Sequence, residues 1–339
     1  MDKYIEISHG AGGLKMDQLL HAIQSIFSNR NSTNGIGMDA FDDGAIIDFQ
    51  NNDLIMTTDG HSVDPLFFPG GDIGKLSICG TVNDLIMMGA EPIALSCGLF
   101  LEEGLEFAVL EKVLQSMNEI CVQNNIPIIA GDTKVIPKGK LDKILITTTG
   151  FGKRISKSRI LDSNVQLDDD IIVTGPIGAH GIALLAFREG LSFKTNLISD
   201  VAALKELLLP ATKTLPIHAM KDPTRGGLAA AINEWADKSN VEITLDQEEI
   251  PIQTEVQSAA DMLGLDPLEI SCEGKAIIAI NSNYSNELLQ LLRNLPQGSN
   301  AAIIGKVTKK DSSKVYLKTS VGGIRRLQKP LGELIPRVC

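Results

Sequence analysis

Apolar residues recur along the chain in two periods, and segments of the two kinds alternate. Residues 14–28 and 105–122 carry apolar side chains at helical spacing, and residues 73–89 are apolar on nearly every side, which predicts an interior helix. Short apolar runs at 54–58 and 126–130 predict strands. Strands that alternate with helices are typical of α/β layers, so we predict an α/β fold.

The pattern restarts after a basic stretch between Lys153 and Arg159. We expect strands at 144–149, 170–174, 241–245, 275–280, 301–307 and 314–318, and helices ending near 188 and covering about 202–212 and 227–238. We therefore predict an N-terminal domain of residues 1–153, a C-terminal α/β domain of residues 154–320, and a flexible basic tail of residues 321–339 that contains Pro330 and Pro336.

Composition narrows the functional class. The chain has 339 residues, 43% of them hydrophobic, with a net charge of −11 that disfavours nucleic-acid binding. Five widely spaced cysteines without a CxxC pair argue against a disulfide framework or a zinc knuckle. The N-terminal residues lack a signal pattern and no apolar run is long enough for a membrane span, so we expect a cytoplasmic protein.

Aspartates follow predicted strands or interrupt apolar segments. Asp43 precedes an apolar strand, Asp59 and Asp132 end strands, and Asp84 lies inside the interior helix. Ligands of α/β folds gather at the carboxyl ends of strands, and Mg²⁺ prefers oxygen ligands together with phosphates. The set fits a metal–phosphate site, although each aspartate alone is equally typical of a turn or a helix cap.

A Gly-rich segment opens the helix predicted at 227–238. Arg225, Gly226 and Gly227 belong to the sequence DPTRGG, whose backbone N–H groups can hold phosphate while the arginine clamps an oxygen. The alternative is an ordinary helix N-terminus with glycines that serve packing.

Three further side chains are candidates for chemistry. Lys134 lies two residues after Asp132, and Glu273 immediately precedes a strand, so each is an acid–base candidate or, alternatively, a surface residue. Cys339 lies at the end of the predicted tail, where a thiol has reach in place of a packing role; the alternative is an accidental terminal cysteine.

Together these segments resemble the HypE family of hydrogenase-maturation proteins, in the superfamily of aminoimidazole ribonucleotide (AIR) synthetase. The resemblance spans nearly the whole chain. It rests on HGAGG at 9–13, DDGAII at 42–47, TTDGHSVDPLFFPGGDIGKLSICGTVNDLIMMGAEP at 57–92, EEG at 102–104, AGDTKV at 130–135, GPIGAHG at 175–181, DPTRGG at 222–227, CEG at 272–274 and PRVC at 336–339.

The resemblance implies two AIR-synthetase-like domains, a homodimer whose interface includes N-terminal strands, and ATP with Mg²⁺ in the cleft between the domains. By motif, Asp43, Asp59, Asp84 and Asp132 would hold the metal and phosphates, with Asn83, Gly131, Arg225, Gly226 and Gly227 near the nucleotide. Cys339 would receive a carbamoyl group from HypF, Lys134 and Glu273 would act as bases in its dehydration to a thiocyanate, and the HypC–HypD complex would take the cyano group for the iron of a nickel–iron hydrogenase.

Two alternatives stay open. AIR synthetase, selenophosphate synthetase and thiamine-phosphate kinase would share the fold and the ATP site, but none would require the ending PRVC, and this chain has no cysteine before Cys79. A non-catalytic, nucleotide-gated carrier would need Cys339 but neither Lys134 nor Glu273.

Overall fold

The computed structural model describes residues 4–10, 13–28, 30–31, 34–49, 52–191 and 197–331. Its helices are α1 (Leu14–Ile26), α2 (Ile73–Met87), α3 (Phe107–Asn124), α4 (Ala179–Arg188), α5 (Lys205–Thr214), α6 (Gly227–Ser239), α7 (Thr254–Leu263) and α8 (Ser285–Arg293). Its strands are β1 (Ala45–Phe49), β2 (Asn52–His61), β3 (Phe67–Phe68), β4 (Gly71–Asp72), β5 (Ala90–Glu102), β6 (Ile128–Ile136), β7 (Ile144–Arg154), β8 (Asp169–Val173), β9 (Ile217–Lys221), β10 (Val241–Asp246), β11 (Ile277–Asn281), β12 (Ala302–Lys310), β13 (Lys314–Lys318) and β14 (Ile324–Arg326). The predicted α/β class is confirmed.

The N-terminal sheet has the strand order β1-β2-β7-β5-β6. Its β5 and β6 run parallel, and the other neighbours run antiparallel. Helix α2 lies against β2 and β7 and is buried on nearly all sides, as its apolar sequence predicts. Strand β2 alternates, so Ile55, Thr57, Asp59 and His61 share the face that α2 covers.

The C-terminal sheet has the strand order β14-β13-β10-β12-β8-β11-β9. Helix α6 packs against β10 and β13, and α5 packs between α2 and α8. One hydrophobic cluster therefore includes Leu95 of the N-terminal sheet, Ile172 of the C-terminal sheet and Leu208 of α5. The two sheets share a continuous core, which fixes the position of α2 relative to the C-terminal strands.

The segment predicted as a flexible tail begins with ordered structure. Strand β14 pairs with β13, Leu327 is buried, and the Nζ of Lys329 lies 2.7 Å from Asp17 and 3.0 Å from Glu234. For residues 324–330 the prediction of a flexible tail is wrong, because strand pairing and the ion pairs of Lys329 fix them. Cys339 lies outside the described residues.

Among the helices of the described residues, none is long and apolar enough to cross a membrane.

Candidate functional site

Carboxylates from both halves of the chain meet beside α2. Asp84 is on α2, where its Oδ2 accepts a hydrogen bond from the Thr57 hydroxyl at 2.9 Å. Burial raises the pKa of Asp84 well above its ordinary value, and the nearby Asp222, Asp59 and Asp43 raise it further. The structure thus brings together three of the four aspartates that the sequence proposed and adds one.

Asp222 is the added carboxylate. It begins the DPTRGG loop and is 8% exposed. Burial and the proximity of Asp43 raise the pKa of Asp222 to about 8, although Lys221 and Arg225 lower it. Asp222 is part of the DPTRGG motif, but nothing in the sequence of a loop indicates that its aspartate is buried.

Two glycines of the DPTRGG loop have positive φ angles, a backbone conformation that favours glycine. Gly226 precedes α6 with φ 82°, and Gly227 has φ 60°. A Cβ on Gly227 would lie 2.7 Å from the Leu268 oxygen, so only glycine fits without a shift. Helix α6 begins here without a side-chain cap. Its Gly227 N–H donates to the Thr224 oxygen at 3.0 Å, and the first-turn N–H groups that follow offer the phosphate-binding geometry of a helix N-terminus.

Glu273 lies beside the same loop. The Cys272 N–H donates to the Pro223 oxygen at 3.0 Å, and the Glu273 N–H donates to Asp200 Oδ1 at 3.2 Å. Burial, followed by the charges of Asp222, Asp59 and Asp200, raises the pKa of Glu273 well above its ordinary value, with Arg225 opposing. The alternative that Glu273 is a surface residue is therefore wrong, because Glu273 is only 7% exposed.

Basic groups offset only part of this charge. Lys221 Nζ lies 2.6 Å from Asp43 Oδ1 and also contacts Asp162 at 3.2 Å. Burial raises the pKa of Asp43 to about 6 against the lowering effect of Lys221. Burial likewise raises the pKa of Asp59, but His61 and Arg225 bring it below its ordinary value overall.

The donor set fits a divalent cation held together with phosphates. Asp43, Asp59, Asp84 and Asp222 are hard oxygen donors that repel one another, and a cation would relieve that repulsion. Within the described ranges no three such side chains are placed to hold one ion by themselves. Mg²⁺ suits this arrangement, because it usually takes one or two carboxylates plus waters and substrate phosphates.

Asn83 makes a different contact from the predicted one. Its Nδ2 donates to the Ala202 oxygen at 3.0 Å, and its Oδ1 accepts from the Leu204 N–H at 2.8 Å. Both ends of the side chain join α2 to the segment before α5, so the structure gives Asn83 a connecting role in place of a nucleotide contact.

Asp132, Lys134 and Gly131 lie elsewhere, on the exposed strand β6 at the edge of the sheet. Gly131 is in one row with Cys97, Thr148 and Asp59, three strand spacings from β2, or about 14 Å. Asp132 and Lys134 alternate with Gly131 and therefore face away from α2. Within one chain the structure does not bring them to the carboxylates.

Comparison with known proteins agrees with this organisation. The model described as "AIR synthase related protein, N-terminal domain" matches residues 41–153, and "AIR synthase related protein, C-terminal domain" matches residues 167–318. The chain is 47% identical to a putative hydrogenase expression/formation protein of Methanocaldococcus jannaschii, over 98% of both chains. It is 40% identical to the carbamoyl dehydratase HypE of Rhizobium leguminosarum bv. viciae, over 99% of this chain and 95% of that protein.

Solved structures give the same picture. A HypE–HypF complex contains a chain with 36% identity and a TM-score of 0.86, covering 92% of this chain and 99% of that one. A HypE structure in complex with ATP has 36% identity and a TM-score of 0.82, covering 99% of this chain and all of that one. The likeness therefore extends over both sheets.

Proposed function

Because the chain belongs to the HypE family of the AIR-synthase-related proteins, we propose that it is an ATP-dependent carbamoyl dehydratase of hydrogenase maturation. Its substrate is a carbamoyl group on its own Cys339, and its product is a thiocyanate that supplies the cyanide ligand of the hydrogenase iron. The observation that carries the proposal is the cluster of Asp43, Asp59, Asp84, Asp222 and Glu273 beside the N-terminus of α6, in which Asp222 and Glu273 are buried and the other three are half-buried.

ATP binds where the carboxylates face the DPTRGG loop. The N–H groups at the start of α6 and the Arg225 guanidinium offset phosphate charge. One or two of the carboxylates Asp43, Asp59, Asp84 and Asp222 would hold Mg²⁺ together with the ATP phosphates, and the ion would supply charge neutralisation for the transferring phosphoryl group. The structure of a relative with ATP supports the nucleotide, and the mutual repulsion of the four aspartates supports the cation.

The dehydration needs an acceptor for protons. Converting S–C(=O)–NH₂ to S–C≡N removes two protons from nitrogen, while the oxygen leaves as phosphate after ATP has phosphorylated it. Glu273 accepts one of these protons, since burial among carboxylates makes its anion a stronger base than an exposed glutamate. Arg225 lies close enough to lower the pKa of Glu273, and its positive charge favours the anionic form that accepts a proton.

Lys134 takes part from a second copy of the chain. Strand β6 is exposed along nearly its whole length, and Ile129 and Val135 are 69% and 68% exposed. An edge strand with apolar side chains on solvent is a typical pairing surface. We place the homodimer interface there, so that Asp132 and Lys134 of one subunit complete the site of the other.

Cys339 reaches this site from Leu331, the last residue that the structure describes. Eight residue steps join it to Leu331, which corresponds to roughly 26 Å when fully extended. HypF supplies the carbamoyl group, as the HypE–HypF complex of a relative supports. HypC–HypD accepts the cyano group, and the reaction takes place in the cytoplasm.

Intact mass measured with ATP and Mg²⁺ after carbamoylation tests the proposal. Loss of one water from the adduct supports a dehydratase, and an adduct that stays unchanged supports a carrier and overturns the proposal. The Cys339→Ser chain is the control, because it retains the carboxylates but has no thiol to carry the carbamoyl group as a thiocarbamate.

Mixing two inactive variants tests the dimer. Lys134→Ala and Glu273→Gln chains each lose dehydration alone. If Lys134 acts across the interface, a mixed dimer contains one intact site and regains part of the activity. No recovery after verified subunit exchange contradicts the shared site.

A further inference from the structure

His61, the last residue of β2, has no role in the reaction described above. Its side chain is 3% exposed, and its Nε2 lies 3.0 Å from Asp59 Oδ2. An ionised carboxylate only accepts hydrogen bonds, so this Nε2 carries the proton and donates. The other ring nitrogen, Nδ1, has no hydrogen-bond partner within the described part of the chain. Within the described residues, the polar contact of the buried His61 side chain is therefore with Asp59 alone.

That residue is held from two sides. Asp59 and His61 are two positions apart on β2 and share the face toward α2. The Gly60 N–H donates to Asp59 Oδ1 at 3.0 Å, so each oxygen of Asp59 has one donor. A carboxylate offers about four lone-pair positions, and the two that remain are available to a cation.

Helix α2 is shaped to admit this pair. A Cβ on Gly80 would lie 2.9 Å from His61 Nε2 and 3.1 Å from Asp59 Oδ2. Any larger residue at position 80 would press on the hydrogen bond itself. The glycine is thus explained by the close approach of His61 and Asp59 to the helix.

We propose that His61 is a positioning residue that fixes the Asp59 carboxylate in the orientation from which it binds the Mg²⁺ of Mg–ATP, with Gly80 providing the space. This inference rests on the proposed function. Without the donor, Asp59 can rotate, and part of the binding energy of the cation is then used to order it. Groups that orient metal ligands typically contribute 10- to 100-fold to metal affinity.

The test measures how much Mg²⁺ is required for ATP binding, by calorimetric titration of the full chain with ATP at several Mg²⁺ concentrations. His61→Leu should raise the half-saturating Mg²⁺ concentration about tenfold. His61→Gln keeps an N–H donor near the position of Nε2 and should stay within about threefold of the unaltered chain. A Leu variant that stays within about twofold overturns the proposal.

Two glycine variants separate positioning from general packing. Gly80→Ala presses on the pair and should raise the Mg²⁺ requirement. Gly150→Ala crowds the same helix at Leu85 and Thr81, each 2.9 Å from the new Cβ, without touching Asp59, and should leave the requirement unchanged. Equal effects of both variants overturn the proposal. If His61→Leu does not fold, the glycine pair and His61→Gln decide.

The proposed function fails in a different way. If the unaltered chain binds no ATP at any Mg²⁺ concentration, the nucleotide site itself is refuted. If it binds ATP and His61→Leu has the same Mg²⁺ dependence, only the role of His61 is refuted.

Discussion

The carboxylate cluster beside α2 and the exposed edge at β6 carry residues of the same predicted site, yet they differ in every physical respect. In the cluster, Asp84 and Glu273 are surrounded by other acids, and burial raises the pKa of both. On β6, Asp132 and Lys134 are exposed and face away from the cluster. One region is assembled within a single chain, and the other lies apart from it, so that under the proposed function only a second chain can bring it to the cluster.

The two regions also differ in what they contribute to the stability of the fold. Buried carboxylates without full counter-charge destabilise the chain that contains them, and such strain is typical of functional sites. The carboxylate of Asp53 is a useful contrast, because Arg154 Nε and Arg159 Nη2 lie 2.7 Å and 2.9 Å from it. Burial alone is therefore not the mark of the site; burial without full compensation is.

The largest expected effect concerns Glu273. Glu273→Gln keeps the size of the side chain but removes the base, so the dehydration rate should fall by at least about 100-fold, while ATP affinity changes little. Single-turnover mass spectrometry of the carbamoylated chain measures the rate. A fall of less than about tenfold in the dehydration rate would show that another residue is the base.

Asp53, whose charge is compensated by two arginines, should stabilise the fold, whereas the uncompensated carboxylates of the cluster should destabilise it. Asp53→Asn should lower the free energy of unfolding by about 1–2 kcal/mol, since two arginines lose their partner. Hydrogen bonds from Arg159 lower the pKa of Asp53 in the folded chain. As the pH falls, Asp53 is therefore protonated in the unfolded chain before it is protonated in the folded chain. The stability from Asp53 is present above an ordinary pKa of about 4 and is lost as the pH falls below it.

Denaturant titrations of both chains between neutral and acidic pH measure that contribution. The difference between the unaltered chain and Asp53→Asn should shrink as the pH falls. A difference that is constant with pH would mean that the arginines do not favour the ionised form.

The smallest expected effect has the opposite sign. Asp84→Asn removes a buried charge from a repelling group, so without Mg²⁺ it should raise the free energy of unfolding by about 1 kcal/mol. It should also weaken Mg²⁺-dependent ATP binding. Asp132→Asn, on the exposed edge, is the matched control and should leave stability unchanged. A loss of stability in Asp84→Asn would show that Asp84 is compensated after all.

Much of the fold was predictable because its elements have strong local patterns. Strand β13 has the predicted bounds, and the all-round apolar α2 is interior as expected. The sequence missed β5, the thirteen-residue strand between β7 and β6, because Pro92 and Gly98 interrupt its pattern. It also missed β9, α7 and α8, whose polar residues mask short apolar faces.

The site was harder to predict because its residues depend on strand order. Asp59 and Gly131 lie in one row across the sheet, but the strands that carry them are not adjacent, so one chain does not bring Asp132 to the other aspartates. Sequence shows neither that two strands intervene nor which face a side chain takes at an edge. Burial of Asp222 and Glu273 likewise arises from contacts between the loop and residues 272–274, which are distant in sequence.

The ordered contacts of Lys329 with Asp17 and Glu234 also limit how outside proteins can use the thiol. A group that cannot leave a sphere of roughly 26 Å radius stays at an effective concentration in the millimolar range inside it. A site of the same chain within that sphere therefore competes with every external donor or acceptor. A partner that loads or unloads Cys339 must therefore dock on the protein first. A partner free in solution at micromolar concentration would meet the thiol less often than a site of the same chain does.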